Sequence, residues 1–226
     1  VSAFNIPIIE KEGFEADDVL GTLAQQAEGK GVATRILTGD RDLLQLVTTS
    51  THVLLAGRQG TEEYDTAAVL ERFGIRPDQI VDSHALVGGS SDNIPGVRGI
   101  GEKTAVKLLQ EYETLEAVYG HVDAVTPARF RGALVSGRDD AFLSRKLAQI
   151  VTNVPVTLDL EACRTHDFDR GQVADLLRRL EFRSLADRFR TIAPATGQQM
   201  SLFDGPAPPP AREQLAPSAG TAANIV

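Results

Sequence analysis

Asn93-Ile94-Pro95-Gly96-Val97-Arg98-Gly99-Ile100-Gly101-Glu102-Lys103-Thr104-Ala105 is the stretch that decides how the rest of the chain is read. Three glycines within residues 96–101, interleaved with Val97 and Ile100, describe a tight hairpin that runs straight into a helix opening at Glu102. Glycine permits sharp backbone and lets another molecule approach closely. The first turn of a helix carries N–H groups without intrahelical partners, and these suit a phosphate. Lys103 and Thr104 add a charge and a hydroxyl at that point. A plain turn between helices usually needs fewer glycines. The spacing Gly-x4-Gly-Lys-Ser/Thr is absent, which excludes a P-loop. Gly96, Val97, Gly99, Ile100, Gly101, Lys103 and Thr104 are therefore the candidate nucleic-acid contact.

Toward the N-terminus the pattern is α/β. Residues 6–9 and 33–38 are short branched runs that predict strands, and 52–56 is a third. Between the first two, residues 16–28 predict a helix, with Val19, Leu20, Leu23, Ala24 and Ala27 on one stripe and Gly29 and Gly31 at its end. Strand, helix, strand in that order implies a parallel layer. From Thr66 on, strand signals vanish. Helices are predicted over 67–73, 77–87, 102–112, 115–119, 128–135, 141–151 and 170–180. The domains expected are thus an α/β part over 1–66, a helical part over 67–192, and a Pro/Ala-rich linker or tail over 193–226, where Pro208-Pro209-Pro210 sits.

The net charge of −8 argues at first against a nucleic-acid partner. Its distribution is uneven: residues 1–93 carry 7 basic and 15 acidic side chains, residues 127–190 carry 12 basic and 9 acidic. An acidic half joined to a mildly basic half fits a metal site beside a phosphate-binding surface, although solvated faces alone produce such patterns too. Cys163 is the only cysteine, so no intrachain disulfide forms, which suits a reducing, cytoplasmic setting. There is no long apolar run for a membrane span.

The carboxylates cluster. Glu15, Asp17 and Asp18 stand at the mouth of the first predicted helix, and Asp40 and Asp42 follow the second predicted strand. Asp92 lies in the loop before the glycine hairpin. In a parallel layer the C-terminal strand ends share one edge with the helix starts. Crowded carboxylates repel unless a cation lies among them, and hard oxygen ligands select Mg²⁺ or Mn²⁺. Taken singly, each Asp is as well explained as a helix cap; taken together, the metal reading leads.

Read in order, Phe14-Glu15-Ala16-Asp17-Asp18, Thr38-Gly39-Asp40-Arg41-Asp42-Leu43-Leu44-Gln45-Leu46, Ser91-Asp92-Asn93-Ile94-Pro95-Gly96-Val97 and Gly99-Ile100-Gly101-Glu102-Lys103-Thr104-Ala105 resemble the 5′–3′ exonuclease domain of bacterial DNA polymerase I and the flap endonucleases. The resemblance covers about residues 4–190. It implies a parallel-sheet, PIN or resolvase-like nuclease core, incomplete at its N-terminus, followed by an all-helical domain with a helix-hairpin-helix at about 83–112. It implies two ions of Mg²⁺ or Mn²⁺, with Glu15, Asp17 and Asp18 on the first and Asp40, Asp42 and Asp92 on the second. A monovalent cation such as K⁺ would help the hairpin grip a duplex. The implied reaction is hydrolysis of a phosphodiester near a 5′ end or flap, in primer removal and repair in the bacterial nucleoid.

Two departures stand out. The family places Gly-Asp where this chain has Gly88-Gly89, so one carboxylate for the second metal is missing. An early segment with two further Asp residues and a basic arch is also expected and not found, which predicts an inactive fragment of an active parent. In the tail, Gln199-Met200-Ser201-Leu202-Phe203 resembles the peptide by which bacterial replication proteins dock on the sliding clamp, with Gln199, Leu202 and Phe203 as its anchors. The tail composition also fits a linker to a fused polymerase domain. The four histidines are scattered without ligand spacing and are assigned to no metal.

Overall fold

The computed structural model describes residues 2–58, 60–89, 93–164 and 168–191. The described residues divide into two compact units, one before and one from Phe168.

In the first unit, helix α1 (Ala16–Gly29) buries Val19, Gly21, Ala24 and Ala27 on one face. It leads into β1 (Thr34–Thr38), a 3₁₀ turn (Asp42–Leu46) and β2 (Thr51–Gly57). β1 and β2 pair in parallel, with Ile36 opposite Val53. A third strand, β3 (Gly60–Tyr64), closes back antiparallel on β2, with Tyr64 opposite Val53. The sheet is thus mixed, and its parallel pair is β1/β2 rather than one involving residues 6–9. Those four residues form no strand, and Ile8 is 61% exposed. Pro7 has no N–H to give a ladder, and no described strand lies beside them. β3 escaped prediction because only Tyr64 of its five residues is buried, so its sequence shows no alternation.

Helices α2 (Thr66–Phe73), α3 (Ile80–Val87), α4 (Glu102–Tyr112), α5 (Leu115–Gly120), α6 (Ala128–Ser136) and α7 (Arg138–Ala148) follow. Their caps match the sequence. Asp65 accepts the Ala68 N–H at 2.8 Å, Thr114 accepts that of Ala117 at 3.2 Å, and Gly74 ends α2 in the left-handed region. One continuous core joins sheet and helices through Ile36, Leu44, Val53, Val69, Leu86 and Leu109. Each such side chain contributes about 1.5–3 kcal/mol on burial.

After α7 the chain runs extended along α1. Asp18, Thr22, Gln26 and Lys30, spaced four apart on one helix face, bind it in sequence. Asp18 accepts from Val151 N at 2.8 Å and Thr22 from Val154 N at 3.1 Å. Gln26 bridges Val156 and Leu158, and the Lys30 ammonium donates to the Leu158 carbonyl at 2.7 Å. Four polar side chains thereby do for this segment what a neighbouring strand would. No helix among the described residues is long and apolar enough to cross a membrane.

The second unit contains α8 (Arg170–Arg179) and α9 (Arg183–Thr191), which bury Val173 and Phe189. Asp169 caps α8 through the N–H groups of Gly171 and Gln172, and these hold its carboxyl below the usual range. Helix α9 was not predicted.

Candidate metal centre and nucleic-acid interface

Glu15, Asp17, Asp18, Asp40 and Asp42 line one crevice of about 690 Å³ together with Ile94 and the α7 end, Lys146 to Ala148. The reason is topological. Helix α1 begins, and β1 ends, at the same edge of the sheet, so residues 15–18 and 40–42 meet there. Most of the five have structural duties as well, Glu15 and Asp18 through a capping box at the start of α1. Asp18 accepts the N–H of Glu15 at 3.3 Å and that of Val151, and Asp40 accepts the N–H of Asp42 at 2.9 Å. Asp42 faces His84 of α3, Oδ1 to Nδ1, at 3.3 Å.

Asp17 differs. Among the described residues it accepts no hydrogen bond, and it is half-buried. Burial raises its carboxyl above the ordinary value, and the charges of Asp40, Glu15, Asp42 and Asp18 raise it further. A helix cap shows the opposite signature, as Asp169 does. The donor set is oxygen throughout, the chemistry of a hard cation. Among the described residues no three acidic, histidine or cysteine side chains are gathered closely enough to hold an ion as they stand. Asp92 lies outside the described residues, as do Gln199, Leu202 and Phe203. Gly89 exchanges both backbone hydrogen bonds with Ile94, at 3.0 and 2.9 Å, and so brings a β-bridge and no side chain to this corner.

The hairpin between α3 and α4 divides by role. Val97 and Ile100 are buried and belong to the core. Gly96, at φ +61°, sits so close to Gly88 that a Cβ there would meet the Gly88 nitrogen at 2.4 Å. Its glycine therefore serves chain packing. Gly99, Gly101 and Lys103 are exposed, and Thr104 is half-buried. Among the described residues, the N–H groups of Gly99, Gly101, Glu102 and Lys103 donate to no backbone carbonyl. Unpaired N–H donors of this kind, at and just before a helix start, are chemically suited to an anion. The sequence missed Lys146, which lines the crevice, and His84, which faces Asp42 from α3; both places depend on contacts between elements far apart in the chain.

Two descriptions of known families match this chain in succession. "5′-3′ exonuclease, N-terminal resolvase-like domain" covers residues 1–74 and "5′-3′ exonuclease, C-terminal SAM fold" covers residues 75–171. The DNA polymerase I of Chloroflexus aurantiacus is 47% identical over 216 residues, which span 93% of this chain and 23% of that protein. That of Bacillus subtilis is 37% identical over 206 residues, 90% of this chain and 23% of that one. The chain thus spans about a quarter of the length of these relatives. Among solved structures, the T5 D15 protein co-crystallised with metal ions aligns over 65% of this chain and 54% of its own, with a TM-score of 0.58 and 20% identity. The catalytic core of Rad2 in complex with DNA substrate aligns over 83% and 65%, with a TM-score of 0.53 and 19% identity. The mixed sheet, the helices that follow it and the two consecutive matches agree: the chain belongs to the 5′–3′ exonuclease family.

Proposed function

We propose that this chain binds DNA at a 5′ end or flap junction and hydrolyses a phosphodiester there, as part of primer removal and repair, within a parent protein that also carries a polymerase domain. The observation that carries the reading is Asp17: a half-buried carboxylate without a hydrogen bond among the described residues, pressed by four like charges from two chain segments. Such an arrangement is costly unless a cation completes it. Glu15, Asp17, Asp18, Asp40, Asp42 and Asp92 are the residues that would hold Mg²⁺ or Mn²⁺. The metal-bound T5 protein and the DNA-bound Rad2 core support metal and DNA use.

Two such ions, when bound, lower the pKa of an attacking water and offset charge on the leaving oxygen. The chain's own residues do the rest. Asp17 and Asp40 present oxygens to the reacting phosphate's edge of the sheet. His84 keeps Asp42 turned into the crevice. The free N–H groups at the α4 start, with Lys103 and Thr104, hold the duplex by its backbone, and a monovalent cation such as K⁺ would strengthen that grip. The tail segment with Gln199, Leu202 and Phe203 would dock on a sliding clamp.

Gly89 favours a second reading, in which the chain binds duplex without cutting it, because the second ion lacks one carboxylate. Incubating the chain with a labelled 5′-flap DNA in Mn²⁺, against EDTA and an Asp17→Asn control, separates the two. Metal-dependent cleavage lost in the control supports the first reading. Binding without cleavage replaces the first reading by the second, and neither binding nor cleavage removes both.

A further inference from the structure

Helix α7 sends three successive side chains in three directions, since neighbours on a helix diverge by about 100°. Ser144 is fully buried and accepts the Gly96 N–H at 2.9 Å, which anchors the glycine hairpin. Arg145 pairs with Asp82 of α3, Nε to Oδ1, at 3.1 Å, and also with Glu116 of α5. Lys146 emerges at the crevice that holds the five carboxylates, and it is the one basic side chain among the described residues lining it. It is exposed, and among the described residues it pairs with no carboxylate.

The backbone that carries Lys146 is held to the carboxylate-bearing segments. Gln45, in the 3₁₀ turn after Asp42, donates to the Ala148 carbonyl at 3.0 Å and accepts the Ile150 N–H at 3.0 Å. Asp18 accepts from Val151 N at 2.8 Å. The base of Lys146 is thereby positioned against both acidic segments, while its ammonium pairs with no carboxylate among the described residues.

On the reading given under Proposed function, we propose that Lys146 binds the backbone phosphate of the DNA strand that enters the carboxylate crevice. A crevice lined by carboxylates repels a phosphodiester even when cations offset part of the charge. The Lys146 ammonium in the same crevice supplies the attraction on that approach. Lysine acts as a point charge and accepts a range of phosphate orientations. The contact specifies where the strand sits and not which bases it carries. The buried Ser144 at the same helix ties this position to the hairpin, so that the duplex grip and the strand entry are spaced by one rigid helix.

The test is DNA binding by fluorescence anisotropy in Ca²⁺ over a range of KCl, with a 5′-flap DNA and a blunt duplex of equal length. Lys146→Ala is expected to weaken flap binding several-fold and to lower the slope of log affinity against log salt by about 0.9, the value for one phosphate contact. The blunt duplex, held by the hairpin alone, should show no change, and Lys146→Arg should restore the flap slope. An unaltered slope in Lys146→Ala overturns the proposal, as does an equal loss on both DNAs or an arginine variant that behaves as the alanine one. If the unsubstituted chain binds neither DNA, the DNA-binding reading itself falls, an outcome distinct from the others.

Discussion

The buried hydroxyl of Ser144 accepts the N–H of Gly96 at 2.9 Å and fastens the glycine hairpin to α7. Ser144→Ala would leave that N–H buried without an acceptor, at a cost of about 1–3 kcal/mol. Gly96→Ala should cost more, because its Cβ would lie 2.4 Å from the Gly88 nitrogen and φ is +61°. Thermal unfolding of both variants measures this, with the order unsubstituted, Ser144→Ala, Gly96→Ala in falling midpoint. A Gly96→Ala protein as stable as the parent would contradict the close packing of Gly88 on Gly96.

Asp17 is expected to link stability to divalent cations. Without metal, Asp17→Asn removes like-charge repulsion and should melt at or above the unsubstituted chain. Added Mn²⁺ should raise the melting midpoint of the unsubstituted chain, and the rise should shrink in the variant. A tenfold loss of affinity removes about 1.4 kcal/mol of that gain. Equal Mn²⁺-induced shifts in both proteins would take Asp17 out of the ligand set.

Asp82 predicts a pH dependence. Burial pushes its carboxyl above the ordinary range, opposed by the Leu115 N–H at 2.8 Å and by Arg145. The Arg145 pair is close but not aligned as a hydrogen bond, since Oδ1 has no such partner among the described residues. The folded state therefore holds this proton more tightly than the unfolded chain. Its stabilisation is full below the ordinary carboxylate pKa and is lost as pH rises through the raised value. Asp82→Asn keeps an oxygen for Leu115 and should flatten that part of the stability curve. Urea midpoints at several pH values from about 4 upward provide the measurement, and a steeper decline in the variant would refute it.

Tyr119 is half-buried against Phe142, ring centroids 5.4 Å apart, and its buried hydroxyl has no hydrogen-bond partner among the described residues. The same burial pushes its pKa up to about 12. Tyr119→Phe removes an unsatisfied polar atom and keeps the ring, so stability should be unchanged or higher by about 1 kcal/mol. A clear drop in the unfolding midpoint would mean that the hydroxyl is satisfied in solution.

The helices and the hairpin were legible because their determinants are local. The 3.6-residue spacing on α1, the glycines at its end and the glycines of 96–101 each depend on residues within a turn or two of one another. The convergence of Glu15, Asp17, Asp18, Asp40 and Asp42 was legible for a related reason: one parallel connection places helix starts and strand ends at one edge. Residues 6–9 have the composition of a strand, but a strand exists only where a neighbour offers hydrogen bonds, and composition is silent on neighbours. β3 is the reverse case, a polar edge strand created by its partner β2.

Contacts between remote elements lay beyond the sequence. Val97 and Ile100 belong to the core, and Gly96 is small because Gly88 lies against it. His84 meets Asp42, and Lys146 meets the carboxylate crevice, only because α3 and α7 pack where they do. The sequence by itself determined which residues bear the chemistry, through local backbone demands and charge. The tertiary structure decided which of them face one another, because long-range packing sets the distances on which electrostatics and hydrogen bonding depend.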